Sequence, residues 1–122
     1  MSRLATVVAL VACGASVLIH VPATARMQAP SPQTAEMGRS WDDSYRGAPE
    51  FNPEPNGFLI DVVKALTPGA ALDVGMGQGR NAVYLAKLGW TVTGFDVSQV
   101  GIEQAQRSAK AAGVRITALQ QS

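Results

Sequence analysis

Three glycines and two aspartates carry the chemistry this sequence could do. Gly75, Gly77 and Gly79 alternate in Gly75-Met76-Gly77-Gln78-Gly79, with Asp73 just upstream and Asp96 downstream. Glycines at this spacing let the backbone turn tightly and approach a ligand with no Cβ atoms in the way. Where such a loop leaves a strand and opens a helix, the free N–H groups of the first helical turn point outward at the ligand. An aspartate ending the first strand can accept from a cationic ammonium. One ending the second strand, about 20 residues past the loop, can accept from both hydroxyls of a ribose. The set describes a site for an adenosine-containing ligand.

The elements needed to position these residues are legible around them. Phe58, Leu59, Val62, Val63 and Leu66 recur at helical spacing before Thr67-Pro68-Gly69, so Asn56 to Leu66 is expected to be an amphipathic helix. Ala70 to Val74 is a short apolar run with Asp73 as its only charge, which predicts a buried parallel strand. Arg80 to Leu88 has a helical period and ends at Gly89, a good helix-stopping residue. Trp90 to Phe95 is β-prone and leads to Asp96. Ser98 then caps a longer Ala-rich helix ending at Gly113, and Val114 to Leu119 predicts a third strand. The alternation is one mononucleotide-binding half of a Rossmann-like, doubly wound α/β sheet. Trp41 to Tyr45 starts a short amphipathic piece ahead of a loop punctuated by Pro53 and Pro55.

The ligand's other half divides the readings. Gly77-Gln78-Gly79-Arg80-Asn81-Ala82 also satisfies G-x-G-x-x-A, one form of the dinucleotide fingerprint, so an NAD-dependent enzyme fragment is a competing reading. In that register Gly75 falls where the strand should still be apolar, and Asp73 sets a carboxylate near a pyrophosphate. An anion there disfavours a bisphosphate and favours an α-ammonium, which points to adenosine joined to a zwitterion.

Leu72-Asp73-Val74-Gly75-Met76-Gly77-Gln78-Gly79-Arg80-Asn81 resembles the D-x-G-x-G-x-G first motif of class I S-adenosylmethionine-dependent methyltransferases. With Ala82-Val83-Tyr84-Leu85-Ala86, Gly89 and Val92-Thr93-Gly94-Phe95-Asp96-Val97-Ser98, it is similar to the tellurite-resistance-type, small-molecule members. The resemblance implies that Asp73, Gly75, Gly77 and Gly79 hold the methionine part of S-adenosyl-L-methionine. It implies likewise that Asp96, with Val97 beside it, holds the ribose. Arg80 and Asn81, at the helix start, either meet the methionine carboxylate or are solvated, and Asp73 has helix capping as its alternative role. Trp41 and Tyr45 look like the W-D-x-x-Y segment that closes over the cofactor, with plain packing as the alternative. The family resembles itself in having seven strands, of which about three are expected here, so the sequence reads as a truncated half with a non-catalytic ligand-binding remnant as the rival reading.

Methyl transfer from a sulfonium is an in-line displacement that mainly requires alignment and exclusion of water. No catalytic residue is identifiable and no metal set is present; the implied partner is a small-molecule acceptor. With a formal net charge of +1 and no Lys/Arg run, nothing in the chain collects nucleic-acid phosphates. The oligomeric state has no signature.

At the N-terminus, Arg3 precedes a nearly unbroken apolar run from Leu4 to Val21, followed by Ala23-Thr24-Ala25. This predicts a hydrophobic targeting helix with signal cleavage after Ala25 and export. A membrane anchor through residues 4–21 is the alternative, and a lipobox-like Leu10-Val11-Ala12-Cys13 a third. Residues 26–40, rich in Pro, Ser and Gln, read as a flexible linker, leaving 41–122 as the partial domain.

Overall fold

The computed structural model describes residues 6–9, 29, 31–47 and 52–121. Four strands form one parallel sheet in the order β1 (Thr6–Ala9), β2 (Ala70–Val74), β3 (Thr91–Asp96) and β4 (Thr117–Gln120). Helix α3 (Arg80–Lys87) connects β2 to β3, and α4 (Gln99–Ala111) connects β3 to β4. Helices α1 (Pro32–Gly47) and α2 (Gly57–Val63) precede β2. The three expected strands and the βαβαβ order are therefore present. The register sets Asp73 opposite Gly94, Val74 opposite Phe95 and Asp96 opposite Gln120, so the ends carrying the two acids lie side by side.

Local signals explain where these elements start and stop. Asn56 caps α2 by accepting from the N–H groups of Phe58 (2.9 Å) and Leu59 (3.3 Å). The helix regularly ends at Val63 rather than Leu66, and the turn tightens there through Ala65 N–H to the Val62 carbonyl. Ser98 caps α4 through Gly101 N–H at 3.0 Å. Both βαβ helices end in paired backbone bonds around a left-handed glycine: Gly89 N–H to Ala86 and Trp90 N–H to Leu85, then Gly113 N–H to Lys110 and Val114 N–H to Ala109.

The core gathers Leu59 and Val63 of α2, Ala71 of β2, Ala82 and Leu85 of α3, Val92 of β3, and Ile102 and Ala105 of α4. Met76 joins it from within the glycine cluster. A side chain at Gly94 would collide with the Met76 thioether, so the small residue in β3 makes room for a loop residue to plug the sheet from its carboxyl end.

Two expectations are corrected. The linker expected over residues 26–40 is helical from Pro32, which stands where a proline fits a first helical turn, after Ser31 whose hydroxyl accepts from Thr34 N–H. Composition hid this helix because it lacks an apolar stripe: Gly38 is its only buried residue. The targeting helix expected over Leu4 to Val21 is not seen at Thr6–Ala9, which lie as a strand parallel to β2, with Thr6 opposite Ala70 and Ala9 opposite Asp73; the rest of that run lies outside the described residues. An open outer edge on β2 would leave backbone donors and acceptors unpaired, and the β-branched Thr6-Val7-Val8 suits a strand. Cys13 and the Ala25 cleavage position lie outside the described residues. No helix among the described residues is long and apolar enough to cross a membrane.

Candidate functional site

A pocket of about 320 Å³ opens at the carboxyl ends of β2 and β3, and is lined by Val74, Gly75, Phe95, Asp96, Val97 and Gln121, with Trp41 and Tyr45 from α1. This is where the strands of a doubly wound sheet release their loops, and the size is in the range of small-ligand sites. The Trp41 and Tyr45 rings stand 5.8 Å apart at 30°, one helical turn from each other. Trp41 remains 43% exposed on the pocket's outer side.

Asp96 organises the floor. One carboxylate oxygen accepts from Gly77 N–H at 2.8 Å and the other from Ser98 N–H at 2.9 Å, tying the glycine loop to the start of α4. An ionised carboxylate offers about four lone-pair sites, so two remain for a ligand. The loop is also pinned to β3, because Gly75 and Met76 both donate to the Phe95 carbonyl. Gly75, Gly77 and Gly79 all have positive φ, and Tyr45 lies so close over Gly77 that a side chain there would strike its hydroxyl. Burial, and then the Asp96 charge, raise the Tyr45 phenol above its ordinary pKa.

Asp73 lies beneath the loop rather than in the pocket wall and is only 4% exposed. Its carboxylate faces Ala82 N–H in the first turn of α3, where Gly79 has no side chain to cap with. Its Oδ2 is buried with no hydrogen-bond partner, alone in this among the described residues. Burial pushes the carboxyl up to about 6; the Ala82 N–H and the Arg80 charge oppose the rise, and the Asp96 charge adds to it.

Residues 71–122 match the family model for a methyltransferase domain. The chain is 43% identical over 47 residues to the probable S-adenosyl-L-methionine-dependent methyltransferase TehB of Haemophilus influenzae, covering 38% of this chain and 16% of that protein. It is 32% identical over 88 residues to the ubiquinone biosynthesis O-methyltransferase of Vibrio parahaemolyticus, covering 70% of this chain and 37% of the relative. Among solved structures, a S-adenosylmethionine-dependent methyltransferase from Geobacter sulfurreducens, in complex with S-adenosyl-L-homocysteine, superposes with a TM-score of 0.54. The two share 30% identity over 68% of this chain and 36% of that one. The chain carries part of a class I S-adenosylmethionine-dependent methyltransferase domain. It thus spans well under half the length of these relatives.

The residues present fit the methyl donor of this methyltransferase family. The orphaned Asp73 oxygen under the loop suits an ammonium, directly or through water, and two neighbouring carboxylates make a poor seat for a pyrophosphate. Of the ten residues singled out from the sequence, Trp41, Tyr45, Gly75, Asp96 and Val97 converge on the pocket, while Gly77 lies under Tyr45 and bonds to Asp96. Gly79 instead allows α3 and α4 to approach, its Cα turned toward Ala105. Arg80, which is exposed, and Asn81, which is buried, both bond to a neighbouring segment of the chain. Arg80 donates to the Asn52 and Glu54 carbonyls at 3.4 and 3.3 Å, and the buried Asn81 Oδ1 accepts from Asn56 N–H at 2.9 Å. They clamp the proline-punctuated loop to α3.

Sequence reasoning passed over Gln121, Gln104 and Asp42. Gln121 lies at the pocket rim, fixed by its N–H to the Asp96 carbonyl. Gln104 bridges Gln78 of the loop (2.8 Å) and the Tyr45 carbonyl (3.2 Å). Asp42 accepts from the Ser98 hydroxyl at 2.5 Å and Val100 N–H at 3.0 Å. Its position between Trp41 and Tyr45 was the one local sign of its role.

The raised Asp73 pKa sets a pH dependence. The native carboxyl binds its proton more tightly than in the unfolded chain, so its contribution to stability is complete below about pH 4 and lost as pH rises through about 6. Asp73→Asn keeps an oxygen for Ala82 N–H and removes the buried charge. Urea titrations are expected to show the variant near wild type at pH 4 and more stable at pH 7.5, by up to about 3 kcal/mol. Equal stability of the two proteins at pH 7.5 would refute the assignment.

Proposed function

We propose that this chain is the donor-binding half of a methyltransferase that modifies a small molecule. The strongest support is the convergence of Asp96, Gly75, Trp41 and Tyr45 on one pocket, above a buried carboxylate with an unsatisfied oxygen. When bound, S-adenosylmethionine supplies an electrophilic methyl group on a sulfonium.

The chain's own residues then have mostly positional work, as an in-line displacement requires. Asp96 holds the ribose hydroxyls with its remaining lone pairs, and the left-handed turns at Gly75 and Gly77 bring the backbone to the methionine part. Asp73, ionised, balances the ammonium. Trp41 and Tyr45 cover the opening, exclude water and present ring faces that favour a cation. A phenol raised above its ordinary pKa is a poor base at neutral pH, so Tyr45 covers rather than abstracts. Among the described residues, none is assigned to acceptor recognition or to general-base work. A small acceptor accords with the relatives named for O-methylation in ubiquinone biosynthesis.

Calorimetry with S-adenosylhomocysteine and NADH tests the reading: binding of the first with no response to the second is expected. Preference for NADH would reject it. Product formation from labelled methyl donor then separates an enzyme from a remnant that only binds.

We further propose that the apolar N-terminal run directs the protein to export with cleavage after Ala25, which removes β1 and leaves β2 as the sheet edge; the anchored form is its rival. N-terminal sequencing of the native protein is expected to begin at Arg26. An intact Met1 on a membrane-bound product would favour the anchor.

A further inference from the structure

Helix α1 roofs the pocket with almost no apolar seat of its own. Gly38 is its one buried residue, and Trp41 stays substantially exposed. What holds such a helix in place must be largely polar, and the bonds are concentrated at Asp42. Its Oδ1 takes both the Ser98 hydroxyl and Val100 N–H, at the cap and second position of α4. Ser98 in turn gives its N–H to Asp96, so the roof is joined to the ribose-binding acid through one residue. Gly38, one turn before Asp42, approaches the Val97 carbonyl so closely that an added Cβ would lie 2.9 Å from it. Gly38 and Asp42 therefore form the docking stripe, and Trp41 and Tyr45 the neighbouring stripe over the pocket.

We propose that Asp42 is a positioning residue, the latch that docks α1 onto the N-terminus of α4 and so fixes Trp41 and Tyr45 over the methyl-donor pocket. The inference rests on the donor-binding reading above. Fixing the rotation of α1 at Asp42 decides which stripe faces the pocket, because adjacent residues on a helix point about 100° apart. Burial works against the charge on Asp42, but the Ser98 and Val100 bonds and the Arg46 guanidinium, 3.8 Å away, outweigh it and hold the carboxyl below its ordinary pKa. The Gln104 bond to the Tyr45 carbonyl is a second tie, about one turn further along the helix.

The test compares Asp42→Ala with Asp42→Asn in the full chain. Asparagine keeps the single oxygen that accepts both bonds, whereas alanine keeps neither. Amide hydrogen exchange without ligand is expected to speed up at least about tenfold across residues 32–47 in the alanine variant, with β2, α3 and β3 unchanged. A roof docked only about one-tenth of the time weakens S-adenosylhomocysteine binding about tenfold, and the asparagine variant is expected within about threefold of wild type on both measures. Wild-type exchange in α1 of the alanine variant would overturn the latch. Faster exchange with unchanged affinity would overturn its role in positioning the donor. If the wild-type protein itself fails to bind S-adenosylhomocysteine, the donor reading falls, and the exchange result alone judges whether Asp42 docks the helix.

Discussion

Asp96→Ala is expected to weaken S-adenosylhomocysteine binding at least about 100-fold and to cost the protein about 3–5 kcal/mol of stability. Both effects come from one carboxylate with two duties. Its oxygens take Gly77 N–H and Ser98 N–H, so alanine strands two donors at a residue only 8% exposed. Each stranded group costs about 1–3 kcal/mol, and the ribose loses its acceptor as well. Asp96→Asn is expected to rescue little. Its two acceptors serve opposite sides, so an amide must turn its NH2 group toward one of the two backbone donors. This contrasts with Asp42, where one oxygen does all the accepting. Calorimetry and urea unfolding read the two effects separately. Affinity retained within a few-fold in Asp96→Ala would remove Asp96 from the ribose site, whatever happened to stability.

Gly79→Ala is expected to destabilise the domain by about 2–5 kcal/mol, combining a backbone and a packing cost. Gly79 sits at φ 79°, ψ 19°, a conformation that costs a residue bearing Cβ about 1–2 kcal/mol. The added Cβ would also lie 2.7 Å from the Ala105 Cβ and 3.1 Å from its Cα. Ala105 is fully buried on α4, so neither partner can swing aside, and overpacking of this kind costs about 1–3 kcal/mol. Gly75→Ala isolates the first cost. It has φ 68° and nothing within 4 Å of its added Cβ, so it should lose only about 1–2 kcal/mol. Equal urea midpoints for the two variants would show that α3 and α4 do not meet at Gly79 as described.

Much of the frame was legible before any coordinates, since it depends on signals confined to a few neighbouring residues. The apolar run Ala70–Val74, the glycine cluster, the Ser98 cap and the glycines at 89 and 113 each encode a local conformation, and together they set the order β2-α3-β3-α4-β4. Parallel strands joined by helices then place Asp73 and Asp96 at neighbouring strand ends, so the site's location follows from chain order.

Tertiary structure decided what depends on partners remote in sequence. Residues 32–40 carry no apolar stripe, so beyond the Ser31–Pro32 start nothing in their own pattern predicts a helix; it is supported by Asp42 reaching Ser98 and Val100, residues far along the chain. Arg80 and Asn81 sit where a ligand contact would be read, but their bonds run back to residues 52–56, a loop whose path no periodicity encodes. Hydropathy predicts a helix over Thr6–Ala9 because it reports apolar length and is silent on whether a sheet edge is free to pair. Sequence by itself determined the fold and which residue types meet at the pocket, because propensity and capping act over one or two turns. Only the folded chain decided which residues hold the roof and the loops in place, because hydrogen bonds between distant segments leave no local trace.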